Sequence, residues 1–168
     1  RGDRSMVHRL RKAPVTAEGG TPAQYLALRD RAMHALGIGT TRDMKSVITG
    51  IFIPSWLVRE HTFREKVNLW RGRSFSRRFG LWEKILRTDL TTVVPTLRIP
   101  VYFFHGRHDY TCSYDLAKEY FRKLKAPMKG FYTFENSAHS PVLEEPKKAR
   151  KILREDVLAR STALADAM

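Results

Sequence analysis

Two titratable residues are placed where they could take part in proton transfer. Asp109 occurs in the segment HGRHDYTCS and His139 in the segment ENSAHSP, and each segment follows a run of apolar, strand-like residues. A carboxylate that accepts the Nδ1 proton of a histidine fixes the tautomer in which Nε2 can act as a base. The chemistry predicted for the pair is general acid–base catalysis. The two residues would supply two of the three members of a nucleophilic triad.

The elements that must position this pair are two strands and the helix between them. The run VYFFH, residues 101–105, is short, apolar and bounded by Pro100 and Gly106, which is typical of a buried strand in a parallel sheet. KGFYTF, residues 129–134, predicts a second strand, and Ser113 is the expected N-cap of the helix SYDLAKEYFRKLKAP. This order predicts an α/β fold whose two parallel strands end at one sheet edge, where the two titratable residues are expected to meet.

Apolar spacing and capping residues predict helices over most of the remaining chain. An opening helix is expected to begin with Thr21 as N-cap and Pro22 at its first position. Pro54 is expected to end a second helix, and the capping box of Thr62 and Glu65 to begin a third. In the helix SYDLAKEYFRKLKAP we expect the inward-facing residues to be Leu116, Ala117, Tyr120, Phe121 and Leu124. In the fourth helix, GLWEKILRTDL, we expect them to be Trp82, Ile85 and Leu86.

The order of the two candidate residues, acid and then histidine on successive strand-end loops, is the order found in α/β hydrolases. Three segments resemble the C-terminal part of that superfamily, in its proline iminopeptidase-like branch. They are IPVYFFHGRHD, KAPMK and SAHSPVLEEP. The resemblance is strong over residues 99–158. It implies a partial α/β hydrolase fold in which residues 1–95 are the mostly helical lid and residues 96–168 the C-terminal part of the core.

The resemblance also implies roles for individual residues. Asp109 becomes the triad acid and His139 the general base, with no cofactor and no metal ion. The substrate is expected to be a small ester or a short peptide. The lid residues expected to contact it are Trp56, Trp70 and Trp82.

A nucleophile is missing from this picture. The superfamily carries its serine in a G-x-S-x-G turn between a strand and a helix, and no such pattern occurs in the sequence. The nearest candidate, GRSFS at residues 72–76, lacks the second glycine, and the family's oxyanion-hole loop is absent too. The chain, which begins with Arg1, is therefore expected to be the C-terminal fragment of a longer serine hydrolase and to be inactive alone.

Composition limits the alternatives. The net charge of +14 is spread over the chain and, apart from Phe75 in RGRSFSRR, its basic clusters are not interleaved with aromatic residues, which disfavours nucleic-acid binding. No run is apolar enough for a membrane span. A cytoplasmic location is expected. The rival to an enzyme is a non-catalytic basic module that binds a polyanion or nucleic acid, or an inactive hydrolase-fold relative.

Three further residues carry expectations of their own. The single cysteine, Cys112, is expected to be a buried or half-buried apolar residue, and His105 and His108 are expected at a polar loop rim.

Overall fold

The computed structural model describes residues 3–15, 23–37, 39–79 and 81–167. Within it the chain divides into two compact units. The helical unit comprises Arg1–Gly37 and Lys45–Thr88, and the sheet unit comprises Ile38–Met44 and Asp89–Met168. None of the described helices is both long and apolar enough to cross a membrane.

The helical unit is built from α-helices, one of which begins at a predicted side-chain cap. Its helices are α1 (Arg4–Arg11), α2 (Ala23–Ala35), α3 (Ile53–Leu57), α4 (Phe63–Arg78) and α5 (Leu81–Arg87). The Thr62 hydroxyl accepts from the Glu65 N–H while the Glu65 carboxylate accepts from the Thr62 N–H at 2.7 Å, so the predicted capping box at the start of α4 is confirmed. The cap predicted at Thr21 and Pro22 lies outside the described residues.

Pro54 does not end a helix, as the spacing predicted, but lies in the first turn of α3. A π-helical turn, Ile48–Phe52, precedes it, and there the Ile53 N–H bonds to the Ile48 carbonyl five residues back. Pro54 has no N–H to donate, and it follows the turn in which the helical hydrogen bond spans five residues instead of four. Ile85 and Leu86 of α5, predicted to face inward, are about half exposed, and the side chain of Trp82 lies outside the described residues.

The sheet unit contains the predicted strand–helix–strand arrangement. Its elements are α6 (Leu90–Val93), β1 (Val101–Gly106), α7 (Tyr114–Lys123), β2 (Lys129–Phe134), α8 (Pro141–Glu144), α9 (Pro146–Ile152) and a π-helical turn (Leu153–Val157). The two strands pair in parallel, from Val101 opposite Lys129 to Gly106 opposite Phe134. The prediction of a parallel pair is confirmed, and the structure is compatible with a partial α/β fold.

Strand β2 forms the centre of the core because its two faces are both covered. Tyr132 and Phe134 pack with Ala149 and Ile152 of α9, whereas Phe131 packs with Phe121 of α7. Successive side chains of a strand point to opposite faces, so one strand supplies both clusters. The prediction that Leu116 faces this core is wrong, since its side chain is 66% exposed. The buried stripe of α7 passes through positions 117, 121 and 124, and residue 116 lies about a quarter turn or more away from it.

A fully buried carboxylate anchors the end of the chain to this core. Asp156 accepts hydrogen bonds from the Tyr132 hydroxyl at 2.7 Å and from the N–H groups of Ala163 and Leu164 at 3.0 and 2.9 Å. Burial alone would raise the pKa of Asp156, but the hydrogen bonds donated to the carboxylate outweigh it and hold the pKa below its usual range. Burial and the neighbouring carboxylate raise the pKa of Tyr132.

We expect Tyr132→Phe to lower the free energy of unfolding by about 2 kcal/mol at neutral pH, because a hydrogen bond to a buried charge is lost. A depressed carboxyl pKa stabilises the fold above the unfolded-state pKa of about 3.9, and this stabilisation is lost as pH falls through the folded-state value. The difference between wild type and variant should therefore shrink below about pH 4. Urea unfolding at several pH values measures it, and a pH-independent difference would contradict the assigned role of the charge.

Candidate active site

The loops that follow β1 and β2 are tied to each other by backbone hydrogen bonds. The Arg107 N–H donates to the Phe134 carbonyl at 2.9 Å, and the His108 N–H donates to the Ser137 carbonyl at 3.0 Å. The Arg107 guanidinium also forms two 3.1 Å hydrogen bonds with the Glu135 carboxylate, which lower the pKa of Glu135. The two strand ends are thus held in a fixed register next to each other.

Asp109 is buried and held by hydrogen bonds at both carboxylate oxygens. Oδ1 accepts from the N–H groups of Thr111 at 2.8 Å and Cys112 at 3.0 Å. Oδ2 lies 2.8 Å from Nδ1 of His139. The structure therefore brings together the two residues that the sequence singled out, although they are 30 positions apart.

The contact with Asp109 assigns the tautomer of the neutral His139 imidazole. An ionised carboxylate can only accept, so Nδ1 is the donor of the 2.8 Å hydrogen bond, and in the neutral ring Nε2 is then an acceptor. The side chain of Asp109 is 5% exposed whereas that of His139 is 41% exposed. The acid is therefore enclosed, and the imidazole faces solvent in the tautomer that a general base requires.

Gly106, at the end of β1, allows the two loops to approach this closely. A Cβ atom at this position would overlap the Ala138 carbonyl oxygen and lie 2.5 Å from that of Ser137, far inside van der Waals contact. Residue 106 therefore sets how near the turn that carries His139 can come to Asp109.

Glu144 and Glu145 brace the turn of His139, a role that the sequence analysis missed. The Glu144 carboxylate accepts from the Ala138 N–H at 2.8 Å, and the Glu145 carboxylate accepts from the Ser137 hydroxyl at 2.6 Å and from the Asn136 N–H at 3.0 Å. The signal available in the sequence was the pair of consecutive acids ahead of Pro146. A helix start also attracts acids, so the pattern alone does not distinguish the two roles.

Arg42 is a further brace that sequence reasoning could not find. Its backbone N–H donates to the second carboxylate oxygen of Glu144 at 2.6 Å, and its guanidinium lies 3.5 Å from the Asn136 side-chain oxygen. Arg42 is 94 and 102 positions from these partners, and no local pattern indicates such a contact. It belongs to the short segment Ile38–Met44 of the sheet unit, inside the range 1–95 predicted as lid.

His105 lies within β1 and not at a polar rim. Its ring stacks on Phe131 and its side chain is 11% exposed. Nε2 lies 3.2 Å from the Cys112 carbonyl oxygen and 3.7 Å from Oδ2 of Asp109. His105 is therefore a second imidazole beside the candidate acid, and it contacts the backbone of the loop that follows β1.

Cys112 is exposed, so the prediction of a buried or half-buried apolar residue is wrong. Its N–H is turned inward to Asp109 at 3.0 Å, which places this residue in a tight turn at the surface instead of in the core. The thiol sulfur, a carboxylate oxygen of Asp109 and a ring nitrogen of His139 lie within 4.8 Å of one another.

The described structure does not support GRSFS as a nucleophile turn. Residues 72–76 lie inside the 16-residue helix α4 and not between a strand and a helix.

The structure describes two of the three tryptophan side chains that were predicted to contact substrate. Phe52 has its ring 5.8 Å from the ring of Trp56 and 4.8 Å from that of Trp70, so these two tryptophans pack within the helical unit. Their role in binding substrate, like that of Trp82, stays a prediction.

Similarity to a known protein is limited to part of the chain. The chain is 36% identical over 87 residues to the probable aminopeptidase YbaC of Bacillus subtilis strain 168. The similar region is 52% of this chain, and it spans 27% of the length of that protein. No protein-family model matches the chain, and no solved structure matches it.

The brace of Glu144 can be tested by removing its carboxylate. We expect Glu144→Ala to lower the free energy of unfolding of the sheet unit by about 1–2 kcal/mol and to speed hydrogen exchange of the Ala138 amide, whose acceptor is lost. The matched control is Glu119→Ala, which removes an exposed pair with Lys123 and should leave stability nearly unchanged, because solvent screens that pair. Equal exchange rates at Ala138 in the two variants would show that Glu144 does not hold the turn.

Proposed function

We propose that Asp109 and His139 are the acid and the base of a Ser-His-Asp triad in an α/β hydrolase, and that the serine belongs to a segment outside this chain. The observation that carries the proposal is the 2.8 Å contact between Oδ2 of Asp109 and Nδ1 of His139, with the acid buried and the imidazole exposed. Structural ion pairs of histidine also occur, but this one lies at the carboxyl ends of two parallel strands, where active sites of α/β proteins gather.

The proposed reaction is hydrolysis of a small ester or of an amide or peptide bond. Nε2 of His139 takes the serine proton as the oxygen attacks the carbonyl carbon, and it then returns that proton to the leaving alcohol or amine. Water enters in the same way to cleave the acyl-enzyme. Asp109 stabilises the imidazolium in both steps and keeps the proton of Nδ1 in place.

The similarity to a probable aminopeptidase supports an amide substrate with a free amino end over a simple ester. Residues 1–95, predicted from the sequence as the lid, are proposed to supply apolar contacts to such a substrate through Trp56, Trp70 and Trp82. Since the chain spans about a quarter of that relative, these assignments concern the whole protein to which the chain would belong.

The test uses the product of the complete reading frame that contains this chain. A fluorophosphonate probe should label a serine in the wild type, and His139→Ala should abolish the labelling. The control is His108→Ala, in the neighbouring loop, which should label like the wild type. Equal labelling of both variants would remove His139 from the mechanism. A wild type that takes no label would contradict the proposal and favour a hydrolase-fold relative without a nucleophile.

A further inference from the structure

Asp109 and His139, the proposed triad pair, form a donor set together with the thiol of Cys112, which the triad chemistry does not use. A carboxylate oxygen of Asp109, the sulfur of Cys112 and a ring nitrogen of His139 lie within 4.8 Å of one another. Asp109 is buried, whereas Cys112 and His139 are exposed. An ion could therefore reach the group from solvent and find one ligand already held in place.

We propose that these three residues bind a thiophilic divalent cation such as Zn²⁺ or Cd²⁺. One thiolate, one imidazole and one carboxylate are the ligand types that zinc takes in proteins, and three protein ligands leave a fourth position for water. The thiolate disfavours Mg²⁺ and Ca²⁺, which require oxygen ligands. The site goes beyond the proposed hydrolase, and its existence does not depend on that function.

Closing around an ion requires two adjustments. Nδ1 of His139 and Oδ2 of Asp109 are 2.8 Å apart and must separate to roughly 3.3 Å, the spacing of two ligands of a tetrahedral zinc ion. The sulfur, within 4.8 Å of the other donor atoms, must lie roughly 3.6 Å from them, and rotation of the exposed side chains of His139 and Cys112 provides both movements. The hydrogen bonds from the N–H groups of Thr111 and Cys112 to Oδ1 keep the carboxylate oriented, as the outer partners of metal ligands commonly do.

Binding would change the protonation of two ligands. The thiol of Cys112 releases its proton to solvent and binds as thiolate. The cation takes the place of the proton on the ring nitrogen that faces Asp109, so the proton of the neutral imidazole resides on Nε2. In that tautomer His139 cannot accept a proton from a nucleophile. If the proposed function holds, the cation is an inhibitor that competes with triad chemistry; this consequence alone rests on that function.

The test is a titration of the purified 168-residue chain with CdCl₂, followed by the thiolate-to-cadmium charge-transfer absorbance in the ultraviolet. We expect one cation per chain, displacement by ZnCl₂, loss of the band in Cys112→Ser, and affinity at least about tenfold weaker in His139→Ala. His108→Ala is the control and should bind like the wild type, and far-ultraviolet circular dichroism verifies that each variant is folded.

Two outcomes would overturn the proposal. Absence of a charge-transfer band in the folded wild type would show that the three donors do not bind the ion. Equal affinity of wild type and His139→Ala would show that the exposed thiol alone captures cadmium. Neither outcome involves activity, so failure of the metal site and failure of the proposed hydrolase are separately visible.

Discussion

In the variant Asp109→Asn, fluorophosphonate labelling of the product of the complete reading frame, the reaction expected of the proposed triad, should slow by about 10³–10⁴-fold. The reason lies in the two backbone N–H groups, of Thr111 and Cys112, that donate to Oδ1 of Asp109. An asparagine must turn its one oxygen toward these donors, because its amide nitrogen would face them as a third donor. The NH₂ group then faces Nδ1 of His139, which must become an acceptor.

The consequence is a change of tautomer with little change of shape. With Nδ1 accepting, the imidazole proton resides on Nε2, the atom that has to take a proton from the nucleophile. Nitrogen-15 spectra of His139 report which ring nitrogen is protonated, and they can be recorded on this chain without a nucleophile. We expect the proton on Nδ1 in the wild type and on Nε2 in Asp109→Asn.

The matched control for this substitution is Asp115→Asn. Asp115 lies in the first turn of α7, is exposed, and is not in contact with His139 in the described structure. Its conversion to asparagine should leave the His139 tautomer unchanged and alter labelling by no more than a few-fold. An Asp109→Asn variant that labels at the wild-type rate, or keeps its proton on Nδ1, would contradict the role assigned to the acid.

The pairing of Asp109 with His139 was predictable because it follows from topology. Two short apolar runs separated by one helix form a parallel pair, and residues just past the two strand ends must then share one edge of the sheet. The caps at Ser113 and Thr62 were predictable for a similar reason, since a side chain that satisfies a free N–H at a helix start acts within three residues.

Long-range contacts of the site were not predictable. The backbone N–H of Arg42 donates to Glu144 across 102 positions, and no local pattern around either residue predicts this contact. The exposure of Cys112 was missed for a different reason. Average burial favours the interior for cysteine, but the two N–H groups that bind Asp109 force a turn that overrides the average. The brace and the proposed metal-ligand set both depend on such contacts, which only the folded chain contains.

Gly106→Ala is expected to be the most damaging small substitution in the sheet unit. The added methyl group would occupy the space of the Ala138 carbonyl and lie 2.5 Å from the Ser137 carbonyl oxygen, and both obstacles are backbone atoms. A flexible side chain could rotate away, but here the turn that carries His139 has to move. We expect a loss of about 3 kcal/mol of unfolding free energy, together with loss of the Nδ1 proton signal that reports the contact with Asp109.

The same chemical change at Gly72 isolates this effect from the general consequence of replacing a glycine. Gly72 lies within α4, and a Cβ atom there would meet nothing within 4 Å. Because alanine loses less backbone entropy than glycine in a helix, Gly72→Ala should raise stability by up to about 1 kcal/mol. Urea unfolding should therefore show that one added methyl group lowers the free energy of unfolding at residue 106 and raises it at residue 72. Nitrogen-15 spectra of His139 are recorded for both variants. If Gly106→Ala were as stable as the wild type and kept its Nδ1 proton signal, the close approach of the two loops could not be what positions His139 against Asp109.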